Sequence, residues 1–576
     1  MSLLAAVAAL AAFTARASAA PDALSISTQP FVSPSTAAYA GVRGEIRSIA
    51  IQRRNVFDLS IPGEDWEPFR IANKVHIQTK EGVIRREILL RPGDSWDSLK
   101  GLESERNLRA TSFIRKAEVV PKQGSPGEVD LLVRSQDSWT TLPQLSVGTE
   151  GGDNYLIYGM EEDNLLGYGK SVSYFHAQVG PQTGNELRYD DPRLQGSRYH
   201  FTSLYGTATN GDTLGALVER PFFALDTPYA VRALWARVIQ QDTLYQDAAT
   251  LTKFIQEFRT VDSEAGALLP ASAGVVQRGR LGFHYEHDRF DQTSDTVGSL
   301  PQERELSGPT VGYSLIRPDY IKETYIDKMA RVEDFNLGDE FSVTAGAMMK
   351  SLGSDADRWT LSAVEQRGQS LGEGRFALGQ AGVNGRLRGQ SLENSIFFAN
   401  VNLFWKTVWL VPQTWVVHTE WNTTKSLDGE NQLVLGGNTG LRGYKNDSFT
   451  GARSTLTNFE DRFFLTHEFF HLFLLGGAAF ADTGAVAQEG ASLVRVHFKS
   501  DVGVGLRLAP TRSTSGGVIR LDVAYALNSG PGPSRWVVSL RGGQAFQIFN
   551  STNREAVRTP ATAISESDAG DRLRRQ

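Results

Sequence analysis

The stretch VIRLDVAYAL, Val518–Leu527, decides the fold because its apolar and polar side chains alternate. Ile519, Leu521 and Val523 point to one side of an extended chain, and the charged Arg520 points to the other. A β-strand repeats its side-chain direction every two residues, so this strand has one apolar wall and one polar wall. Both a soluble sandwich and a membrane barrel are built from such strands.

The same alternation continues from about residue 141 to residue 546, as in ANVNLFWK (399–406) and DVGVGLRL (501–508). About 400 residues of unbroken strand pattern exceed what one sandwich holds. At roughly 25 residues for a strand and its loop, this segment predicts about 16 antiparallel strands, an even number as in bacterial outer-membrane barrels.

Aromatic residues support the barrel over the sandwich. Trp415 and Trp421 lie near the ends of the stretch QTWVVHTEW, on its apolar face. Outer-membrane barrels carry girdles of aromatic side chains at this position, and closure leaves no unpaired strand edge in lipid. The predicted fold is therefore a transmembrane β-barrel at 141–546.

A smaller domain of mixed α and β pattern precedes the barrel at 44–140. After a strand from residue 45, EGVIRREILL (81–90) and the segment 97–114 have helical spacing, and two short strands at 116–122 and 128–135 follow. The predicted order is β-α-α-β-β, which makes a compact α+β unit of ordinary domain size.

The two ends of the chain are predicted to lie outside these folded units. Residues 1–20 read as a signal peptide, with an apolar run at Leu3–Phe13 followed by the small residues Ala-Ser-Ala. Residues 21–43, rich in Ser, Pro, Ala and Thr, read as a linker. The polar segment 547–576 is predicted to be a disordered tail.

Composition excludes several classes of function. With 59 basic and 65 acidic residues, the chain has a net charge of −6 and lacks the basic character of a nucleic-acid binder. The absence of cysteine excludes disulfides and thiolate metal sites. Neither paired carboxylates nor a phosphate loop stands out, so we expect no enzyme, no cofactor and no nucleic-acid partner.

Several motifs resemble the outer-membrane assembly-factor, or bacterial surface antigen, superfamily of BamA- and TamA-like proteins and two-partner-secretion transporters. GGNTGLRGYKNDSF (Gly436–Phe449) contains LRGY, which is similar to the signature of the family's long inward-folded loop. GAAFADTG (Gly477–Gly484) resembles the family's G-x-x-F-x-D-x-G strand, and EEDNLLGYGKS (Glu161–Ser171) resembles its opening hairpin. The domain at 44–140 looks like a single POTRA domain. The resemblance covers roughly residues 44–546.

The resemblance implies contact between the inward-folded loop, with Arg442, Gly443 and Tyr444, and the strand that carries Phe480 and Asp482. Asp482 cannot face lipid, so it faces the lumen and needs a partner there. A bidentate Arg442–Asp482 pair would hold the loop inside the barrel. The alternative is that both charges are solvated in a wet lumen.

The seam of the barrel is predicted between the first strand, at 142–152, and the closing strand, at 536–546. Gly542 and Gly543 weaken strand pairing there, so the seam could open laterally; crowding beside the inserted loop is the other reason for glycine. The family's closing strand ends in an aromatic residue. Phe546 fills that place, although 30 residues follow it.

The resemblance implies a protein that inserts polypeptides into the outer membrane of a Gram-negative cell, or translocates them across it, with its POTRA domain in the periplasm. The expected partners are unfolded outer-membrane or secreted polypeptides, outer-membrane lipids and accessory lipoproteins. An extended client would add a strand to the sheet edge of the POTRA domain. The alternatives are a secretion pore for one partner protein and a passive structural barrel.

His467 and His471 belong to HEFFH, which matches a zinc-protease pattern that works only on a helix. Here the motif lies between two predicted strands, where the histidines would be about 13 Å apart at ~3.3 Å per residue. We therefore predict a hairpin and no metal site.

Overall fold

The structure is a computed structural model that describes residues 41–150, 153–179, 182–209, 211–329, 331–513, 517–532 and 534–542. The predicted signal peptide, nearly all of the predicted linker and the predicted tail lie outside the described residues. Among the described residues, no helix is both long enough and apolar enough to cross a membrane.

The first unit is a small α/β domain with a three-stranded sheet. Its elements in chain order are β1 (Glu45–Arg54), α1 (Glu67–Val75), α2 (Glu81–Glu87), α3 (Ser98–Ala110), β2 (Ile114–Gln123) and β3 (Glu128–Asp137). The sheet order is β1-β3-β2, with β1 parallel and β2 antiparallel to β3. Both β1 and β2 are therefore edge strands.

The predicted order β-α-α-β-β omits one helix, α1. This helix begins beside Pro68 and buries Phe69, which stacks on Phe57 at 4.1 Å between ring centroids. The helix has only nine residues, which give too few turns for a clear helical period, and Ile71 and Val75 on its apolar face remain exposed. The other two helices lie where predicted, and Asp97 caps α3 by accepting hydrogen bonds from two backbone amides.

The second unit is a closed barrel, which confirms the predicted fold class. In the described residues the chain continues through β4 (Thr141–Glu150), β5 (Asp153–Glu162), β6 (Ser171–Val179), β7 (Gln182–Asp191), β8 (His200–Ala208), β9 (Gly211–Arg220), β10 (Tyr229–Gln246), β11 (Ala249–Leu269), β12 (Val276–Gln292), β13 (Arg304–Ile316), β14 (Tyr320–Glu323), β15 (Glu333–Asn336), β16 (Asp339–Met348), β17 (Arg358–Ser370), β18 (Arg375–Arg388), β19 (Ser391–Val408), β20 (Pro412–Lys425), β21 (Leu433–Leu435), β22 (Phe449–Gly451), β23 (Arg453–Phe469), β24 (Phe473–Ala487), β25 (Lys499–Pro510), β26 (Ile519–Ala526) and β27 (Trp536–Gly542).

Twenty of these described strands form the barrel; β14–β15 and β21–β22 are separate two-stranded ribbons. The predicted number of about 16 was therefore too low. The six strands β4–β9 are only 9 or 10 residues long, so they use far less chain per strand than the average assumed for the prediction. The barrel closes where β27 lies next to β4.

The two walls predicted from the alternation are seen in the barrel. Asn402, Asn422 and Asn458 point into the lumen and are fully buried, whereas Val401 and Trp421 on the outer wall are 46% and 41% exposed. The polar lumen and the apolar outside are what a barrel in a lipid bilayer requires.

The α/β domain packs against one end of the barrel, which we call the domain-side end. The turn after β5 accepts a hydrogen bond from the Lys80 amide at the Gly167 carbonyl, at 2.9 Å. The turn after β7 contributes Arg193, which pairs with a carboxylate of α2, and the turn after β25 contributes Arg512, which bonds Glu64 at 2.9 Å. The domain thus contacts the turns on the side of the barrel where the strands β25 to β8 lie.

Candidate functional site in the lumen

The connection between β20 and β23, residues 426–452, folds into the lumen from the end opposite the α/β domain. Leu441 and Tyr444 are buried in an apolar cluster with side chains of β23 and β26. On the other side of the lumen, Gln432 exchanges hydrogen bonds with the backbone of Tyr245 in β10 at 2.8 and 3.0 Å. We call this segment the inner loop; it crosses the barrel interior.

Arg442 anchors the inner loop to the wall. Its Nε and Nη2 donate to the two carboxylate oxygens of Asp482 in β24, each at 2.8 Å, and its Nη1 donates to Glu460 in β23 at 2.5 Å. The guanidinium lies 3.5 Å from the ring centroid of Phe480. A planar guanidinium with two carboxylates in its plane and an aromatic ring on its face has strong geometric specificity.

The neighbours of Arg442 in the loop explain how it comes so close to the wall. A Cβ on Gly443 would lie 2.4 Å from the Cβ of Asp501, so only glycine fits there. Tyr444 donates its hydroxyl to the Ser500 carbonyl at 3.1 Å. The structure thus brings together the five residues that the sequence proposed for the loop contact.

Sequence reasoning missed a larger network of charges around this pair. Glu460 is fully buried and also accepts from Arg462 at 3.0 Å and Arg507 at 3.4 Å. Arg507 in turn donates to Asp522 at 2.5 Å, and Arg520 donates to the same carboxylate. The alternation indicated that these side chains face the lumen, but their pairing depends on the register between strands.

The predicted seam strands are neighbours in the barrel, as β4 and β27. Gly542 is the last described residue of β27 and lies opposite Ile519 of β26. Gly543 and Phe546 lie outside the described residues. The pairing of β27 with β26 covers seven described residues of each strand, Ile519–Tyr525 with Trp536–Gly542, at the point of closure.

The edge strand β2 of the α/β domain is the other candidate for contact with a polypeptide. Its Val119 amide, on the free edge, donates to the Glu105 carboxylate of α3 at 2.9 Å. Pro121 in the same strand has no amide proton to donate. The edge is thus partly satisfied by side chains and has no neighbouring strand among the described residues.

HEFFH lies at the end of β23 and in the turn before β24, as predicted from the flanking strands. Glu468 accepts from Arg512 at 2.8 Å, and His471 packs edge-on against Phe69 of α1 at 6.5 Å. No group of three His, Cys, Asp or Glu suited to a metal ion occurs in the part of the chain that the structure describes.

No protein-family model matches the chain. In sequence, it is 26% identical over 128 residues to the outer membrane protein assembly factor BamA of Neisseria meningitidis; the match covers 21% of this chain and 16% of that relative's length. In structure, it is similar to BamA of Haemophilus ducreyi lacking POTRA domains 1–3, at 12% identity and a TM-score of 0.36, covering 87% of this chain and 85% of that one. It is also similar to CdiB of Acinetobacter baumannii, at 12% identity and a TM-score of 0.44, covering 86% and 73%.

Proposed function

We propose that this chain, which its sequence match groups with the BamA- and TamA-like assembly factors, inserts polypeptides into the outer membrane or translocates them across it. The match to a protein named as an outer-membrane assembly factor carries this proposal. We propose that the barrel lies in the outer membrane of a Gram-negative cell, with the α/β domain as a periplasmic POTRA domain.

The geometry of the inner loop supports this function over that of a passive pore. Arg442 makes three side-chain hydrogen bonds at 2.5 to 2.8 Å to two buried carboxylates, so the loop is fixed inside the lumen. A loop that crosses the lumen reduces the space for free diffusion. Several buried charges hold the loop in the lumen. This arrangement suits a barrel that admits polypeptide clients selectively, rather than one that lets solutes diffuse freely.

We propose that a client enters at the α/β domain and leaves through the seam. An extended client would pair with the free edge of β2, as peptides add to exposed sheet edges. It would then pass to the seam, where β27 meets β4 and separation of the two strands would offer a template edge. Lipids and accessory lipoproteins are further proposed partners, and no covalent bond is made or broken.

Photocrosslinking in living cells tests this function. A photoreactive amino acid at the exposed Lys122 at the end of β2, or at Trp536 in β27, would trap whatever passes. Several outer-membrane proteins trapped at both positions support an insertase, and one secreted protein supports a dedicated secretion pore. If neither position traps a polypeptide, the proposed function is wrong.

A further inference from the structure

The long connection between β13 and β16, described at residues 317–329 and 331–338, folds into the barrel from the domain-side end. We call it the lumen hairpin, because β14 and β15 pair within it. Its Ile326 is fully buried, and its Phe335 and Leu337 are also buried. These side chains cover an apolar patch of the lumen wall, which consists of Phe376, Leu378, Phe404 and Val416 from β18, β19 and β20.

Polar contacts fix the lumen hairpin to the same wall. Arg462 of β23 donates to the Ile326 carbonyl at 2.6 Å, and Thr414 of β20 donates to the Tyr325 carbonyl at 2.9 Å. Within the hairpin, the Glu333 carboxylate accepts from the Ile326 amide at 3.1 Å and so holds the tip in shape. These contacts give the hairpin a defined conformation inside the domain-side end of the barrel.

The wall beneath the lumen hairpin is unusual for an outer-membrane barrel, whose lumen is polar. Phe376, Leu378, Phe404 and Val416 are each at most 2% exposed while the hairpin is in place. Without the hairpin they would form an apolar patch in a wet channel, which costs free energy in proportion to the area uncovered. Such a patch binds an extended segment with apolar side chains. The lumen hairpin is a segment of this kind, because its Ile326, Phe335 and Leu337 pack on the patch.

The α/β domain holds the outer face of the lumen hairpin through α3. Arg109 donates from Nε and Nη2 to Asp334 at 2.9 and 2.7 Å, and Lys322 donates to Glu105 at 2.7 Å. Both pairs are largely buried, with Glu105 at 1% exposed. Removing one partner of such a pair leaves a buried charge without compensation, which is strongly destabilising unless water or another group takes the partner's place.

The same two side chains of α3 occupy the free edge of β2. Glu105 accepts from the Val119 amide at 2.9 Å, and Arg109 reaches to 3.5 Å from the Ala117 carbonyl. A strand that added to β2 would use that amide and that carbonyl for its own backbone hydrogen bonds. It would therefore compete with Glu105 and Arg109 at the point where they hold the lumen hairpin.

We propose that the lumen hairpin is a displaceable plug, and that an extended client strand pairing with β2 releases it. Release opens the domain-side mouth and uncovers the apolar wall patch, which then binds the apolar face of the client. The coupling to a client rests on the proposed function; the plug itself does not.

Thiol accessibility in the full chain tests the plug. Because the chain has no cysteine, Val416→Cys introduces a single reporter behind the lumen hairpin, and Ser125→Cys in an exposed domain turn gives the reference rate. The release variant is Lys322→Gln with Asp334→Asn, which removes both ion pairs between the hairpin and α3 and leaves the contact of Arg106 with the Tyr320 ring in place. The matched control is Arg193→Gln, which breaks the pair with Glu87, another link between domain and barrel that does not involve the hairpin.

With the plug as proposed, the release variant raises the labelling rate at Val416→Cys by about tenfold or more, because two buried ion pairs no longer hold the hairpin. The control variant Arg193→Gln changes the labelling rate at Val416→Cys by less than about twofold, since the pair of Arg193 with Glu87 does not contact the lumen hairpin. An unchanged rate in a folded release variant overturns the plug. Folding is checked by the heat-dependent gel shift of the barrel.

A peptide tests the coupling. The probe is a synthetic peptide with the alternating sequence of β26, Ile519–Ala526, carrying a photoreactive group; a scrambled peptide without alternation is the control. Crosslinking to β2 together with faster labelling of Val416→Cys supports release by a client strand. Crosslinking to β2 with unchanged labelling overturns the coupling. If the peptide does not crosslink at all, client capture at β2 is wrong, while the release variant still decides the plug.

Discussion

Arg442 of the inner loop and Asp482 of β24 form a bidentate ion pair, with both N–O distances at 2.8 Å and both side chains almost fully buried. Asn458 supports the pair by donating to Asp482 and to the Gly440 carbonyl, each at 2.7 Å. The loop is therefore held by its backbone and by its side chain at one place on the wall.

Replacing Arg442 by alanine should release the inner loop more than it harms folding of the barrel. The change leaves Asp482 and Glu460 buried without their main partner, which costs about 3–5 kcal/mol in a dry site and less where water enters. We expect protease cleavage within residues 426–452, higher conductance in planar bilayers and loss of client insertion. Arg442→Lys keeps the positive charge but cannot make the bidentate contact with Asp482. Its effects should therefore lie between those of the unmodified protein and Arg442→Ala.

A double-mutant cycle with Asp482→Ala separates this pair from the rest of the network. If the pair acts as a unit, the two single variants and the double variant should lose similar activity, because each removes the same contact. Additive losses would mean that the two residues act independently.

Asp137, at the end of β3, should make the α/β domain sensitive to pH. The carboxylate is fully buried, and burial raises its pKa from the usual 3.8 to about 6, against the lowering effect of hydrogen bonds from Thr79. Because the pKa is higher in the folded state, the Asp137 carboxyl group contributes fully to the free energy of unfolding below about pH 4. This contribution is lost as the pH rises through about 6. The loss approaches about 3 kcal/mol above that range.

Asp137→Asn should remove this dependence, since the amide oxygen can still accept from the Thr79 backbone amide, which lies 2.7 Å from the carboxylate. At pH 8 the variant should be the more stable protein, and at pH 4 the two should be equal. Hydrogen exchange of the β1–β3 amides, compared between the two proteins at each pH, measures the difference. Equal protection of the two proteins at pH 8 would show that the charged Asp137 carboxylate does not destabilise the domain, and would contradict this prediction.

HEFFH should be dispensable as a metal site. His467 lies on β23 and His471 in the following turn, while Glu468 is engaged by Arg512. We expect His467→Ala to leave folding and client insertion unchanged, and a chelator to have no effect on either. Stoichiometric zinc in the purified protein, lost in this variant, would overturn that expectation.

Alternation and motif resemblance together were enough to predict the barrel, its closing neighbours and the Arg442–Asp482 contact. The lumen hairpin was not predictable in the same way. Its apolar residues, such as Ile321 in β14 and Phe335 in β15, resemble the lipid-facing residues of barrel strands. The sequence does not say whether an apolar side chain meets lipid or another part of the lumen. The partners of Glu460 were hidden for a related reason, because its contact with Arg507 follows from the register of the three strands β23, β24 and β25.

The proposed mechanism requires that the seam between β4 and β27 opens for a client. Paired cysteines test it without background, one placed in Gln144–Glu150 and the other in Trp536–Gly542, since the chain has none of its own. Where the Cα atoms come within about 4.4–6.8 Å, oxidation should link the strands and change migration on a denaturing gel. Reduced and oxidised forms of one protein then serve as each other's control.

The decisive measurement is the rate of client insertion by this crosslinked barrel before and after reduction. If lateral opening is the mechanism, the oxidised protein inserts no client and the reductant restores the rate of the unmodified chain. A crosslinked barrel that inserts clients at the full rate would contradict lateral opening.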